Sequence, residues 1–218
     1  MMYPIIIPVK KKSVRLDNKN HILIDYTLNY AQSYGKENIF ILTDDEYIID
    51  KYGKEYNIIF DDNNKKDILY SLNSATEKCG FKYVHLLCVT NPFREKNVLL
   101  KMETKMMNNN DASFITTKVQ IPNRKIFLLD ENDKFKYTSK KGRKGKYVKR
   151  TYMIDGSAYL INCDFLKNIC EQKKPNKSFW ESDFKTVVNN VPFMDIDIKE
   201  DLDDFNFICN YGLNKKEE

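Results

Sequence analysis

The sequence predicts an α/β fold, a mainly parallel sheet with helices packed against it. Short continuous apolar runs rich in β-branched residues alternate at least four times with longer segments whose apolar residues recur at helical spacing. Runs without a polar face suit strands buried on both sides, the usual condition of a parallel sheet. At 218 residues the chain can enclose one generous core, and 42% hydrophobic against 31% charged residues is ordinary for a globular protein. Residues 1–218 are therefore expected to form a single domain.

Taken in order, "PIIIPV" (4–9) is the first strand, apolar and punctuated by proline. After a polar loop, "ILIDYTLNYAQSYG" sets Leu23, Tyr26, Thr27, Tyr30 and Ala31 on one helical stripe, with Gly35 as its expected C-cap. "NIFILTDD" is the second strand, "DEYIIDKYGKEY" a helix with Gly53 near its end, and "NIIF" the third strand. Ile68, Leu69, Leu72 and Ala75 make "KKDILYSLNSATEKCG" a helix closed by Gly80. "YVHLLCV" runs as a strand into "TNPFR", "NVLLKMETKMM" is helical, "ASFITTKV" is a strand, and "SAYLINCDFLKNIC" is strand then helix. In "MDIDIKEDLDDF" the alternation predicts a strand with Asp195 and Asp197 on one face, followed by a helix.

Composition narrows the function classes. No apolar run approaches the roughly 18 residues of a membrane span, and the apolar start is too short for a secretory signal, with its positive charges after it instead of before it. A cytoplasmic protein without a membrane partner is the expectation. Cys79, Cys88, Cys163, Cys170 and Cys209 are odd in number and scattered, and His21 and His85 are the only histidines, which argues for reduced core thiols and against zinc. The net charge of +5 is local: Lys136 to Arg150 holds eight of the 36 basic residues and no acid. Such a run reads as a solvated loop or arm, or as a polyanion contact. No nucleic-acid partner is expected.

In parallel sheets ligands bind where strands end. After the first strand, Lys10, Lys11, Lys12, Ser13, Arg15, Lys19 and Asn20 collect cations and hydrogen-bond donors, as phosphate oxygens require; a solubilising lysine turn is the plain alternative. No P-loop and no glycine-rich dinucleotide fingerprint is present. Asp195 and Asp197 can hold Mg²⁺ together with phosphate oxygens and water, whereas Glu200 and Asp201 are explained by the first turn of a helix. Asp44 and Asp45 end the second strand as a metal or sugar contact, or as an Asx turn. Pro92 stops its strand and presents Thr90, Asn91 and Arg94 on a loop. Phe179 and Trp180 are assigned to core or interface.

Five segments in this order resemble the cytidylyltransferases that activate 2-keto sugar acids, the group of CMP-N-acylneuraminate and CMP-Kdo synthetases. "PVKKKSVRLDNKN" is similar to the family's P-A-R-x-x-S-x-R-x-x-x-K-N, with Lys10 in place of the loop arginine and Ser13, Arg15, Lys19 and Asn20 as identities. "LTD" follows S-T-D, "CVTNPFR" follows Q-P-T-S-P-L-R, "DGSAY" (Asp155 to Tyr159) follows N-G-[AS]-x-Y, and "DIDIKED" follows D-I-D-T-x-x-D. The likeness runs from about residue 4 to residue 207. It implies a Rossmann-like sheet of the nucleotide-diphospho-sugar transferase type with helices on both faces. A small dimerisation arm at about 119–150, a homodimer and a polar tail at 213–218 are also implied. The implied activity is transfer of CMP from CTP to the anomeric hydroxyl of a 2-keto sugar acid, with release of pyrophosphate.

On this resemblance Lys10, Lys19, Asp195 and Asp197 are catalytic, the two aspartates as ligands of Mg²⁺. Lys10, Ser13, Arg15, Lys19, Asn20, Thr90 and Asn91 bind the nucleotide, and Arg94, Arg143, Lys144, Asp155 and Tyr159 bind the sugar acid. Asp197→Ala is expected to abolish turnover and leave the fold intact. The chain departs from the pattern: Lys10 loses arginine's two-pronged geometry, the loop before the first helix is shortened, and "FDDNNKKD" replaces a conserved-pattern segment beside the nucleotide. Two other readings stand beside this one, a nucleotidyltransferase with a different nucleotide or smaller acceptor, and a non-catalytic polyanion binder on the same fold.

Overall fold

The computed structural model describes residues 3–11, 15–62, 67–107, 113–120, 127–129, 135–137 and 151–213. Within them the order is β1 (Ile5–Val9), α1 (Lys19–Ala31), β2 (Ile39–Thr43), α2 (Glu46–Tyr52), β3 (Asn57–Phe60), α3 (Ile68–Cys79) and β4 (Tyr83–Leu87). There follow α4 (Val98–Met107), β5 (Phe114–Gln120), β6 (Phe127–Leu129), β7 (Phe135–Tyr137), β8 (Thr151–Asn162), α5 (Cys163–Cys170), α6 (Pro175–Trp180), β9 (Lys185–Val188) and α7 (Lys199–Leu213).

Seven strands form one sheet in the order β3-β2-β1-β4-β8-β5-β9. The pairs β1/β2, β1/β4, β2/β3 and β5/β9 are parallel, and β8 runs antiparallel between β4 and β5. The α/β class with a mainly parallel sheet is therefore observed. Alternation along β1 explains its layers: Ile5, Ile7 and Val9 belong to one core, and Ile6 to the other. Leu23, Ile24 and Leu28 of α1, Ile48 of α2, Met102 of α4 and Phe205 of α7 cover the first face. Leu69 and Leu72 of α3, Leu166 of α5 and Phe179 of α6 cover the second. Each such side chain, fully buried, contributes about 1.5–3 kcal/mol of transfer free energy.

Chain order leaves β1 toward β2 and β3, then returns to β4 on the other side of β1. The sheet thus reverses direction between β1 and β4, and the crevice outside their carboxyl ends is where such folds bind ligands. Opposite this point β5 and β8 slip in register between Ile115 and Thr117, facing the Asp155–Ser157 stretch. Gly156 takes a φ of 68° there, a conformation that suits a residue without Cβ.

Three details differ from the sequence reading. Asp195 to Asp197 form no strand; the segment is irregular and is held by Ile196, whose N–H donates to the Thr90 carbonyl at 2.8 Å. Helix α1 ends at Ala31 and tightens into a 3₁₀ turn at Gln32–Tyr34 before Gly35, so that glycine caps the turn and not the α-helix. Strand β9 and helix α6 were not foreseen. Of the expected arm, residues 138–150, which include Arg143 and Lys144, lie outside the described residues, as do 214–218 of the tail.

Candidate active site

The crevice at the switch point opens into a cavity of about 640 Å³ lined by Lys10, Arg15, Lys19, Thr90, Asn91, Asp155, Tyr159, Asp195 and Asp197, with a wall of apolar side chains. One rim is built by the segment after β1. Lys11 N–H donates to Asp44 Oδ1 at 2.7 Å and Asn20 Nδ2 donates to the Lys10 carbonyl at 2.8 Å, so the chain is turned back into α1. Asn18, at φ 56°, makes the turn that starts this helix. Lys19, its first residue, is thereby carried inward, 6% exposed.

The Lys19 ammonium donates to the Ile196 carbonyl at 2.8 Å and to Asp197 Oδ1 at 3.0 Å. Arg15 Nη1 is paired with the other oxygen of the same carboxylate. Asp201 Oδ2 accepts from the N–H groups of Asp197 and Ile198 at 2.8 and 3.0 Å, which caps α7 and holds the Asp201 carboxyl below its ordinary value. This is the helix-start role its position suggested. Asp195 lies open on the cavity wall; withdrawal from solvent, and then the charge of Asp197, push its carboxyl above the usual range, against a hydrogen bond from Thr90.

The floor is a polar hub. Asn91 Nδ2 donates to the carbonyls of Asp155 at 3.0 Å and Met194 at 3.2 Å, tying the end of β4 to β8 and to the aspartate-bearing segment. The Asp155 carboxylate turns away from the cavity: one oxygen accepts from Thr116 Oγ1, Ser157 N–H and Ser157 Oγ, the other from Asn189 Nδ2 at 2.8 Å. Buried, it is held by four donors. Tyr159 and Cys88 also line the cavity, and burial raises both, the thiol to about 11. Ile154, Phe193 and Trp180, each 40–55% exposed (46%, 42% and 52%), form the apolar wall with Ile68.

Nine of the sequence-derived candidates thus share one cavity, although Asn91 uses its amide to hold two backbone carbonyls, and the Asp155 carboxylate binds Thr116, Ser157 and Asn189. Two others sit elsewhere. Arg94, expected at the sugar acid, is 8% exposed and fully engaged: Nε donates to the Ser157 carbonyl at 2.8 Å, and its other nitrogens reach Cys88 and Pro92 carbonyls and Thr27 Oγ1. It offers no free face to a substrate, and burial pulls its guanidinium down to about 10. Asn20 is spent on the Lys10 carbonyl. Asp44 binds the Lys11 N–H and Asp45 N-caps α2 through Tyr47 N–H at 3.0 Å, the Asx-type use. Ser13, Arg143 and Lys144 lie outside the described residues.

The sequence reading gave no role of their own to Asp61, Gly156 and Phe193, and it assigned Trp180 to core or interface. Trp180 is on the cavity wall, whereas its neighbour Phe179 is core at 3% exposure. Only the Asp-Gly pair at Asp155 and Gly156 carried a local signal, that of a sharp bend in a strand. Among the described residues no group of three or more His, Cys, Asp or Glu is placed to hold a metal; the cavity presents two carboxylates. No helix among them is long and apolar enough to cross a membrane.

No family model and no curated protein sequence matches the chain. Solved structures do. A CMP:2-keto-3-deoxy-manno-octonic acid synthetase complexed with CTP superposes with a TM-score of 0.73 at 14% identity, over 97% of this chain and 100% of that one. A protein assigned as a glucose-1-phosphate thymidylyltransferase from Bacillus anthracis, in complex with sucrose, gives 0.63 at 12% identity over 94% of both chains. A 4-diphosphocytidyl-2C-methyl-D-erythritol synthase from Anaerococcus prevotii gives 0.62 at 12% identity over 96% of both. The chain has the nucleotide-diphospho-sugar transferase fold. At these identities the likeness speaks for the fold alone, and the chemistry must be argued from the cavity.

Proposed function

We propose that the chain is a nucleotidyltransferase that moves CMP from CTP to the anomeric hydroxyl of a 2-keto sugar acid and releases pyrophosphate. The observation that carries this reading is the meeting of Lys10, Arg15 and Lys19 with Asp195 and Asp197 around one cavity at the β1/β4 switch point. Three cations on one rim can take over the phosphate oxygens of a triphosphate from water. Thr90 and Asn91 close the floor, and the wall of Ile154, Phe193 and Trp180 leaves a less polar compartment for the acceptor. At about 640 Å³ the cavity is within the range of small-molecule sites.

The donor set fits Mg²⁺. Two carboxylates two residues apart line the cavity; partial burial, and then the neighbouring Asp197, raise the Asp195 carboxyl. Asp195 and Asp197 would hold the ion, which when bound lends charge neutralisation at the phosphates. The protein's own part is positioning. Lys19, fixed between Ile196 and Asp197, supplies a pre-oriented ammonium; Arg15, exposed, can move from Asp197 to a phosphate. The acceptor hydroxyl gives up its proton to water as its oxygen bonds to the α-phosphorus and the bond to pyrophosphate breaks, and alignment and fixed charge lower that barrier.

The likeness to structures named for different nucleotides and acceptors keeps a second reading specific: among the described residues the apolar wall carries no cation for an acceptor carboxylate. A different nucleotide, or a smaller acceptor, is that alternative. A homodimer that lends arm residues 119–150 to the partner's acceptor site would supply the cation under the first reading. The purified chain with Mg²⁺, each of four nucleoside triphosphates and a panel of 2-keto sugar acids decides between them. Pyrophosphate released only with CTP and one acid supports the proposal; a folded protein that binds no triphosphate overturns it.

A further inference from the structure

Lys10 lines the cavity where the resembling family carries an arginine, and an ammonium on a four-carbon stem lacks the rigid fork that orients a guanidinium. The structure supplies that orientation from a second place in the chain. Asp61, the residue after β3, is tied through its N–H to the Thr43 carbonyl at 2.8 Å, and its side chain is 2% exposed. Its Oδ2 sits 2.6 Å from Lys10 Nζ, and Ser71 Oγ of α3 lies 3.3 Å from the same nitrogen. An ammonium has three N–H groups; two are taken by Asp61 and Ser71, and among the described residues the third has no partner. The Lys10 side chain, 31% exposed, reaches solvent on that side.

We propose that Asp61 is a positioning residue for the nucleotide, holding the Lys10 ammonium so that its remaining N–H addresses a triphosphate oxygen. The role rests on the reading that the cavity takes a nucleoside triphosphate. It has two opposed consequences. Asp61 neutralises part of the charge of Lys10, which weakens general attraction for the polyanion; and it fixes the direction of the hydrogen bond, which favours the transition state over loose binding. A buried acid kept only for stability would show neither in this combination.

The test uses the full chain with Mg²⁺, CTP and whichever 2-keto sugar acid of the panel supports pyrophosphate release. Asp61→Asn leaves a neutral oxygen where a charged one now holds the ammonium, and is expected to lower kcat about tenfold, the difference between a charge-assisted and a neutral hydrogen bond, while the Kd for CTP by calorimetry stays the same or tightens. Lys10→Arg brings its own fork, so Asp61→Asn with Lys10→Arg should recover most of the lost kcat, and the two changes should be non-additive. If Asp61→Asn does not fold, Ser71→Ala removes the other tether and should give the same split, smaller in size. A wild type that turns over, beside an Asp61→Asn variant with the same kcat, overturns the role of Asp61. So does a parallel loss of kcat, CTP affinity and Tm that Lys10→Arg does not repair. A folded wild type that binds no triphosphate overturns the functional reading and this role with it.

Discussion

Lys19 and Asp197, 178 positions apart in the chain, meet at 3.0 Å, and the lysine that makes the pair is buried. This contact changes the consequence of removing Asp197. From the sequence, Asp197→Ala is harmless to the fold; in the structure it leaves a buried ammonium with the Ile196 carbonyl as its remaining acceptor among the described residues. The variant should therefore lose about 1–3 kcal/mol in a urea titration, besides losing turnover. Asp197→Asn keeps an oxygen for Lys19 and should lose less stability at equal loss of activity. Equal stability of wild type and Asp197→Ala would mean that the pair contributes nothing.

Asp195 gives a test with the opposite sign. A carboxyl raised above its ordinary value holds its proton more tightly in the folded than in the unfolded chain, so its ionisation reduces stability as pH rises from the usual carboxylate range through the raised value. Asp195→Asn should melt slightly above wild type at neutral pH, and the gain should vanish under acid conditions where both forms are uncharged. Added Mg²⁺ should raise the Tm of wild type more than that of the variant, and a chelator should stop turnover. A variant that melts below wild type at neutral pH would show that burial and the neighbouring Asp197 do not destabilise the ionised Asp195.

The sheet was legible because β1, β2 and β4 are apolar on both faces, a pattern only a doubly covered strand satisfies. The cations that follow β1 were legible for a similar reason: the segment begins directly beyond a strand end, where local order already fixes position. Tertiary contacts hid the rest. Asp195 to Asp197 alternate like a strand, yet the pairing of Ile196 N–H with the Thr90 carbonyl, and of Lys19 with the Ile196 carbonyl, holds them as an irregular segment. Asp61 acquires meaning only when β3 lies two strands from Lys10, and Trp180 only when α6 closes over β8. The short "KTVV" of β9 carries too few residues for a period to show.

Arg94 illustrates a residue whose loop position misled. Pro92 promised an exposed turn, but the guanidinium fills the space beneath it and satisfies carbonyls of Cys88, Pro92 and Ser157, with Tyr30 under its face at 5.6 Å. Lysine cannot reproduce that fork. Arg94→Lys should cost about 2–4 kcal/mol, as a buried charged group with orphaned partners does, while the folded fraction keeps its KM for the acceptor. A raised acceptor KM with unchanged stability would return Arg94 to the substrate site.

Gly156 makes the last test, because there backbone and cavity coincide. A Cβ on Gly156 would stand 3.5 Å from Asn91 Oδ1 and 3.6 Å from Tyr159 Oη, ordinary contact distances, so no clash opposes it. The cost is conformational: at φ 68° an L side chain crowds its own carbonyl, about 1–2 kcal/mol. Gly156→Ala should lose that amount in denaturant unfolding, and Gly156→Asn less, since asparagine enters the left-handed region more readily. The added methyl enters the cavity floor beside the acceptor wall, so KM for the acceptor should rise while the Kd for CTP is unchanged. A larger loss, with CTP affinity falling in step, would show that the bend at Gly156 supports the whole cavity and not its acceptor side.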